Sequence, residues 1–421
     1  MRITHSMIND NIIANVQTHQ QGMDRIQNNI ASQRRIRLPQ EGPSEAGDIM
    51  MYASRMSRLK RYEENAGEAI SRLNHVDMKL QHVLNGVHRL RELAVQGANG
   101  VYTAGDRAKM ASEIEQFLRD IVQVANSSYA NETTFGGTNI NQRAYNVTKG
   151  RVIDPRTGVN VSGNPVITKV EYQGNISNQY REVDRGEFMA VNVSGNQVFW
   201  ATDMMITAGK PGTGYVANRD MEFAVDGVKI KVSEGDNLET IVNKINAADV
   251  SVRATIDNTS GQNLLVLNST RPHQINIEDL RGGSVMQDLG IVAEGANAGP
   301  NNYSPTANVQ GHSMFDAIIN LRDSLLKNNV NGVNQGIGEM DSVISNLTHW
   351  LGQVGGKQNK AEMLIKRHTQ DNLYTQEIYS KIQGVDMAEA IMNLRNMEQA
   401  HQAALQVGSR IMRTSLLDFL R

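Results

Sequence analysis

The sequence predicts a mainly α protein with a β-rich insertion, whose two ends form a long antiparallel coiled-coil rod. Three observations predict it. An apolar seven-residue repeat runs from Leu59 to Ala94, the mark of a long helix packed along other helices. Apolar stripes at steps of three and four return over the last part of the chain. Between these regions Gly, Asn, Pro, Thr and Val rise, and apolar residues alternate in short runs. The resulting plan pairs residues 1–40 with 385–421 as two halves of a terminal coiled coil. Residues 41–137 and 306–384 are the helical parts of a rod domain, and 138–305 are an inserted β-rich domain.

The first helix is expected over 8–31, where Ile12, Val16, Met23, Ile26 and Ile30 share one stripe and His19 interrupts it. Pro39, Gly42 and Pro43 in "RRIRLPQEGPSEAG" stop it. The second helix carries Leu59, Ala66, Leu73, Leu80, Val87 and Ala94 every seven residues. Tyr62, Ala69, Val76, Val83 and Leu90 repeat at an offset of three. It ends in the glycine-rich "QGANG". A third helix begins near Asp106, read as its N-cap, and continues through Met110, Ile114, Phe117, Ile121 and Val124.

Within the insert, "MEFAVDGVKIKV", "VSVRATID" and "NLLVLNST" read as strands, and "NLETIVNKINAA" as one short helix. Helix resumes in "SMFDAIINLRDSLLKNN" and again from about Val333. After Gly384, the spacing of Asp386 and Glu389 fits a capping box, so a helix restarts or bends there. Beyond it Ala390, Leu394, Met397, Ala400, Ala404, Val407 and Ile411 hold the helical steps and lead into "SLLDFLR". Apolar stripes at both ends need cover that one chain does not supply. Ile12, Val16, Met23, Ile26, Ile30, Leu394, Met397, Ala404, Val407, Ile411, Leu416, Leu417 and Leu420 are therefore the candidate assembly interface.

Composition excludes several functions. The 42 basic and 44 acidic residues leave a formal charge of -2, which argues against bulk attraction to nucleic acid or an anionic membrane. No apolar run approaches the roughly 20 residues that span a bilayer, and the first residues lack the layout of a cleaved signal peptide. With no cysteine, disulfides, thiolate metal sites and cysteine nucleophiles are excluded together. "AGKPGTG" resembles a phosphate-binding loop, but Pro211 follows Lys210 where Ser or Thr is required. His75 and His82 lie about 10 Å apart along one helix, too far to share a metal, and His88 is off their face. Arg34, Arg35 and Arg37 read as a solvated hinge or as salt-bridge partners of a neighbouring subunit. The reading is of a non-enzyme with no cofactor and no metal.

Two helical segments carry a family resemblance. "RELAVQGANGVYTAGDRAKMASEIEQFLRDIVQVANSS" (91–128) resembles the N-terminal helical region of bacterial flagellins. "LGQVGGKQNKAEMLIKRHTQDNLYTQEIYSKIQGVDMAEAIMNL" (351–394) resembles their C-terminal region. "FAVDGVKIKVSEGDNLETIVNKINAADVSVRATI" (223–256) resembles the flagellin and hook IN motif, with Ile245, Asn246 and Ala247 at its centre. Within this superfamily, "MRITHSM" and "SLLDFLR" resemble the hook-associated junction branch more than filament flagellins. Those usually carry a Ser-Gly-Tyr/Lys-Arg-Ile-Asn pattern where this chain has "IASQRRIRLPQEG". The resemblance implies a structural subunit of the bacterial flagellum at the hook–filament junction, with a flagellin filament subunit as the alternative. It further implies self-association in a ring and contacts with flagellin and with the other junction protein (FlgK). A chaperone and type III export without a cleaved signal complete the expectation, for an external or a periplasmic flagellum.

Overall fold

The computed structural model describes residues 5–154, 158–258, 261–280, 282–295 and 302–419, with side chains described between 10 and 410. Helix α1 (His5–Ser32) is followed by a 3-10 turn (Pro39–Glu41), α2 (Pro43–Ala98) and α3 (Ala104–Ala125). Three small antiparallel strand pairs come next: β1 (Ser128–Tyr129) with β2 (Glu132–Thr133), β3 (Tyr145–Gly150) with β4 (Val166–Tyr172), and β5 (Tyr180–Asp184) with β6 (Glu187–Ala190). After the short α4 (Gly195–Val198) come β7 (Met205–Thr207), β8 (Met221–Val225), β9 (Val228–Val232) and α5 (Leu238–Ala247). They are succeeded by β10 (Val252–Asp257), β11 (Leu264–Ser269), β12 (Ile277–Asp279), the short α6 (Val285–Asp288) and β13 (Asn308–Gln310). Helices α7 (Met314–Leu326), α8 (Val330–Gln383) and α9 (Met387–Phe419) close the chain. The architecture is mainly helical with a β-rich insertion. No helix among the described residues is long and apolar enough to cross a membrane.

Two details of the helix ends differ from expectation. Pro43 opens α2 instead of only ending α1, because proline at the first helical position loses no intrahelical hydrogen bond. Thr103, not Asp106, caps α3: its Oγ accepts the Asp106 N–H, while the Asp106 carboxylate accepts from the Thr103 N–H and hydroxyl. Asp106 is the third residue of the helix, the reciprocal half of a capping box. Ser313 and Asp316 repeat the device at the start of α7.

The chain divides into two compact units, Met1–Glu64 with Ile365–Arg421, and Asn65–Leu364. The second unit contains two cores. In one, the heptad residues Leu73, Leu80 and Val87 of α2, Ile114 and Leu118 of α3, and Phe315 and Ile318 of α7 are buried with Met340 and Leu347 of α8. Tyr145, Ile167, Tyr172 and Phe199 from the first part of the insert join that core. Phe135, Tyr145, Phe199 and Phe315 stack at ring separations of 4.9–5.8 Å, within the range where edge-on and tilted aromatic pairs attract. The other core begins at Met204. It packs α5 against two antiparallel sheets ordered β10-β11-β7-β13 and β12-β8-β9.

A buried ion pair ties the helices of the first core to the insert. Arg322 of α7 is 1% exposed; its Nη1 donates to Glu115 of α3 at 2.6 Å and to the Ile167 carbonyl of β4 at 2.6 Å. Glu115 also accepts the Ile167 N–H at 3.2 Å and pairs with Arg119. One arginine and one glutamate thus satisfy both backbone groups of Ile167. Arg107 serves the far end of α2, donating to the carbonyls of Gly97 and Asn99 and to Asn328.

In the second core, Ile245 is fully buried, and the Asn246 amide donates to the Ala254 carbonyl and accepts the Ala254 N–H, both at 2.9 Å. The side chain supplies β10 with the bonds a neighbouring strand would make. The β8–β9 turn, Asp226-Gly227, lies at positive φ, the geometry of a two-residue hairpin loop. Buried His273 holds that turn: Nε2 is 2.9 Å from Asp226 and Nδ1 is 2.8 Å from the Arg271 carbonyl. Burial opposes charge on this imidazole, but the Asp226 carboxylate and the Arg271 carbonyl outweigh it and raise its pKa.

Two outcomes follow for stability. Arg322→Ala leaves the Glu115 carboxylate with only the half-exposed Arg119 as its cation and the Ile167 carbonyl without its donor, and should lower the unfolding free energy by about 2–4 kcal/mol, measured by denaturant titration. The Arg322→Met, Glu115→Leu double variant should recover much of that loss. Because the folded pKa of His273 lies above its unfolded value near 6.5, its contribution is complete below that pH and fades as pH rises through the folded value. The thermal midpoint should therefore fall between pH 6 and pH 9, and His273→Asn should flatten that slope.

Candidate assembly surface

The first unit is built from the two chain ends. Helices α1 and α9 pair antiparallel, and the partner numbers run in opposite directions. Ile12 lies against Gly408, Gly22 against Met397, and Arg34 bridges Gly384. The register is fixed where both helices meet irregular chain. The Arg35 N–H donates to the Gln383 carbonyl at 2.7 Å, and its guanidinium donates to the Ile382 carbonyl at 3.3 Å. Those are carbonyls of the last turn of α8, which have no partner within the helix. The 3-10 turn is held by Glu41, whose carboxylate accepts the N–H groups of Arg37 and Leu38 and is thereby shifted below the usual carboxylate pKa. The basic run is thus a strap across the end of α8. Helix α9 restarts at Asp386, whose carboxylate accepts from Ala388 and Glu389.

Between the helices, Ile12, Val16, Met23, Ile26 and Ile30 of α1 are half-buried, as are Leu394, Met397 and Ala404 of α9. His19 belongs to the same stripe, with Nδ1 3.5 Å from Met397 Sδ. Val407 does not: it is 54% exposed, and Gly408 is buried in its place. The stripe climbs by four from Ala400 to Ala404 to Gly408, so the three-residue step to Val407 leads off the face. The side chains of Ile411, Leu416 and Leu417, and all of Leu420, lie outside the described residues.

The two glycines escaped the sequence reading. A Cβ on Gly22 would stand 2.9 Å from Met397 Cε, and one on Gly408 would stand 3.0 Å from Ile12 Cγ2. Each is a small residue inside an otherwise helical run, a sign of close packing. Pairing still covers only part of each helix. No described residue of α1 is fully buried, and on α9 only Ala390 and Gly408 are. Ile13 of α1 and Ile391, Met392, Leu405 and Val407 of α9 face solvent, as do Leu373 and Tyr374 of α8.

The motifs weighed for chemistry are used structurally. In "AGKPGTG" the Gly209 and Lys210 N–H groups already donate to the Gly290 and Leu289 carbonyls, leaving no cradle for phosphate. His82 pairs with Asp120 at 2.7 Å, and His75 packs on Tyr129 at 5.2 Å. Among the described residues no group of three or more His, Asp or Glu is placed to hold a metal.

Three family models match the chain. The bacterial flagellin N-terminal helical region matches residues 3–140, the flagellin hook IN motif matches 213–271, and the bacterial flagellin C-terminal helical region matches 337–420. The chain is 27% identical over 146 residues to the flagellar filament 30.7 kDa core protein of Treponema maltophilum, covering 34% of this chain and 50% of that protein. It is 22% identical over 352 residues to Flagellin C of Vibrio cholerae, covering 82% of this chain and 78% of that one. The crystal structure of flagellar hook associated protein-3 from Legionella pneumophila overlays 79% of this chain and 98% of its own at 17% identity, with a TM-score of 0.46. The alignment to the Treponema protein spans half of that relative's length. With both helical ends and the motif of the insert matched, the chain belongs to the flagellin family of bacterial flagellar structural proteins.

Proposed function

We propose that this flagellar structural protein is the subunit of the junction between hook and filament, a hook-associated protein 3 (FlgL), and that it polymerises through its terminal helices. The observation carrying polymerisation is the exposed apolar face of the α1–α9 pair, including Leu405 and Val407. At about 25 cal/mol per Å² of apolar surface removed from water, cover by neighbouring subunits is the strongest available driving force for that face. The backbone bonds that fill the "AGKPGTG" turn and the His82–Asp120 pair are structural contacts and fit a structural role.

The junction assignment rests on sequence resemblance at "MRITHSM", "SLLDFLR" and "IASQRRIRLPQEG". In this reading the subunits form a ring, with FlgK on one side and flagellin on the other. A chaperone shields the C-terminal helix before type III export, which needs no cleaved signal. A filament subunit is the second reading, favoured by relatives named as filament core proteins and flagellins.

Immunogold labelling separates the two readings. A band confined to the hook end supports the junction subunit, and label along the whole filament overturns it. Replacing Leu405 or Val407 by Asp should leave the monomer's melting temperature unchanged and block incorporation into the flagellum, read by immunoblot of sheared flagella. Normal incorporation of both variants would contradict assembly through this face.

A further inference from the structure

A groove of about 570 Å³ lies in the second unit between α3 and β3, with Val122 and Val147 among its apolar lining. Arg119, Arg143 and Lys149 line it, and no carboxylate does. Arg119 is paired with Glu115, whereas Arg143 and Lys149 have no carboxylate partner among the described residues.

One wall of the groove is a strand edge. Strand β3 pairs with β4 only, so its other edge is open. The Ala144 carbonyl accepts from Gln173, on the side of β4, so the backbone of Tyr145 points the opposite way. There the Asn126 side chain meets it, donating to the Tyr145 carbonyl at 3.1 Å and accepting the Tyr145 N–H at 2.8 Å. An amide side chain thus makes the pair of bonds that an added strand would make. Alternation along the strand directs the backbone of Val147 the same way, into the groove, before the register shifts between Thr148 and Lys149. The Val147 N–H is taken only by the adjacent Asn146 side chain. Helix on one side, open strand on the other and apolar lining between is the arrangement that receives an extended peptide as an added strand.

We infer that this groove binds an extended, carboxylate-rich peptide of a partner protein, which adds to β3 beyond Asn126 and places its acidic side chains on Arg143 and Lys149. The choice of an acidic occupant rests on charge, since the groove carries Arg143 and Lys149 and no carboxylate lines it. The inference is independent of whether the subunit sits at the junction or in the filament.

The test uses the full chain and a fluorescein-labelled octapeptide of alternating Thr and Glu, followed by fluorescence anisotropy. Binding should weaken about tenfold in Arg143→Glu, Lys149→Glu protein, since the charges are complementary, with the circular dichroism spectrum unchanged. Hydrogen exchange at the Val147 amide should slow in the complex. A peptide N-methylated at alternate residues should fail to bind, because it cannot pair with the strand. Equal binding of the N-methylated peptide, or of the charge-reversed protein, would overturn the inference. So would absence of peptide binding where polygalacturonate binds, or peptide binding abolished by dimerisation of the chain through this groove.

Discussion

The hydrogen bond from the Arg35 amide to the Gln383 carbonyl joins residues nearly the whole chain apart, and the pairing of the two ends depends on it. An antiparallel helix pair has little to set its register when both faces carry simple aliphatic stripes. Here the register is fixed at one end, where the strap from Arg34 to Glu41 crosses the last turn of α8. From that point Gly22 meets Met397 and Gly408 meets Ile12. A one-residue slip would turn these glycines away from the side chains they admit.

The pairing leaves both helices partly uncovered, and this is what connects structure to function. A helix whose described residues include no fully buried side chain gains little from its own chain, since most helical stability in proteins comes from packing of an apolar face. Under the proposed assembly, the α1–α9 pair would gain stability from the neighbours it finds. The second unit is different. Its heptad, its aromatic cluster and the Arg322–Glu115 pair bury their groups within the chain. In the proposed polymer, neighbouring subunits would complete the burial that the first unit lacks.

Much of this was legible in the residues because helical periodicity is local. The repeat from Leu59 to Ala94 became the buried face of α2, and Ile114, Ile121 and Val124 became that of α3. The stripe from Ile12 to Ile30 was also readable, although His19 proved to be part of it. What escaped depends on distant partners or on side-chain bonds. Thr103 and Asp106 both suit a helix start, and only the hydrogen bonds separate cap from third residue. Val407 fits a three-residue step, but the face it would join is filled by Gly408, which hydrophobicity does not flag. The passage from one core to the next, near Ala201 and Met204, carries no composition change. The Arg322–Glu115 pair joins residues on separate helices and had no signal in spacing at all.

The central claim is that the terminal helices complete their burial only in the polymer. Amide hydrogen exchange, compared between purified monomer and sheared flagella, tests it most directly. Amides of α1 and α9 should be weakly protected in the monomer and strongly protected after assembly, while those between Leu73 and Leu90 of α2 should be strongly protected in both. Equal, strong protection of α1 and α9 in monomer and polymer would contradict the account.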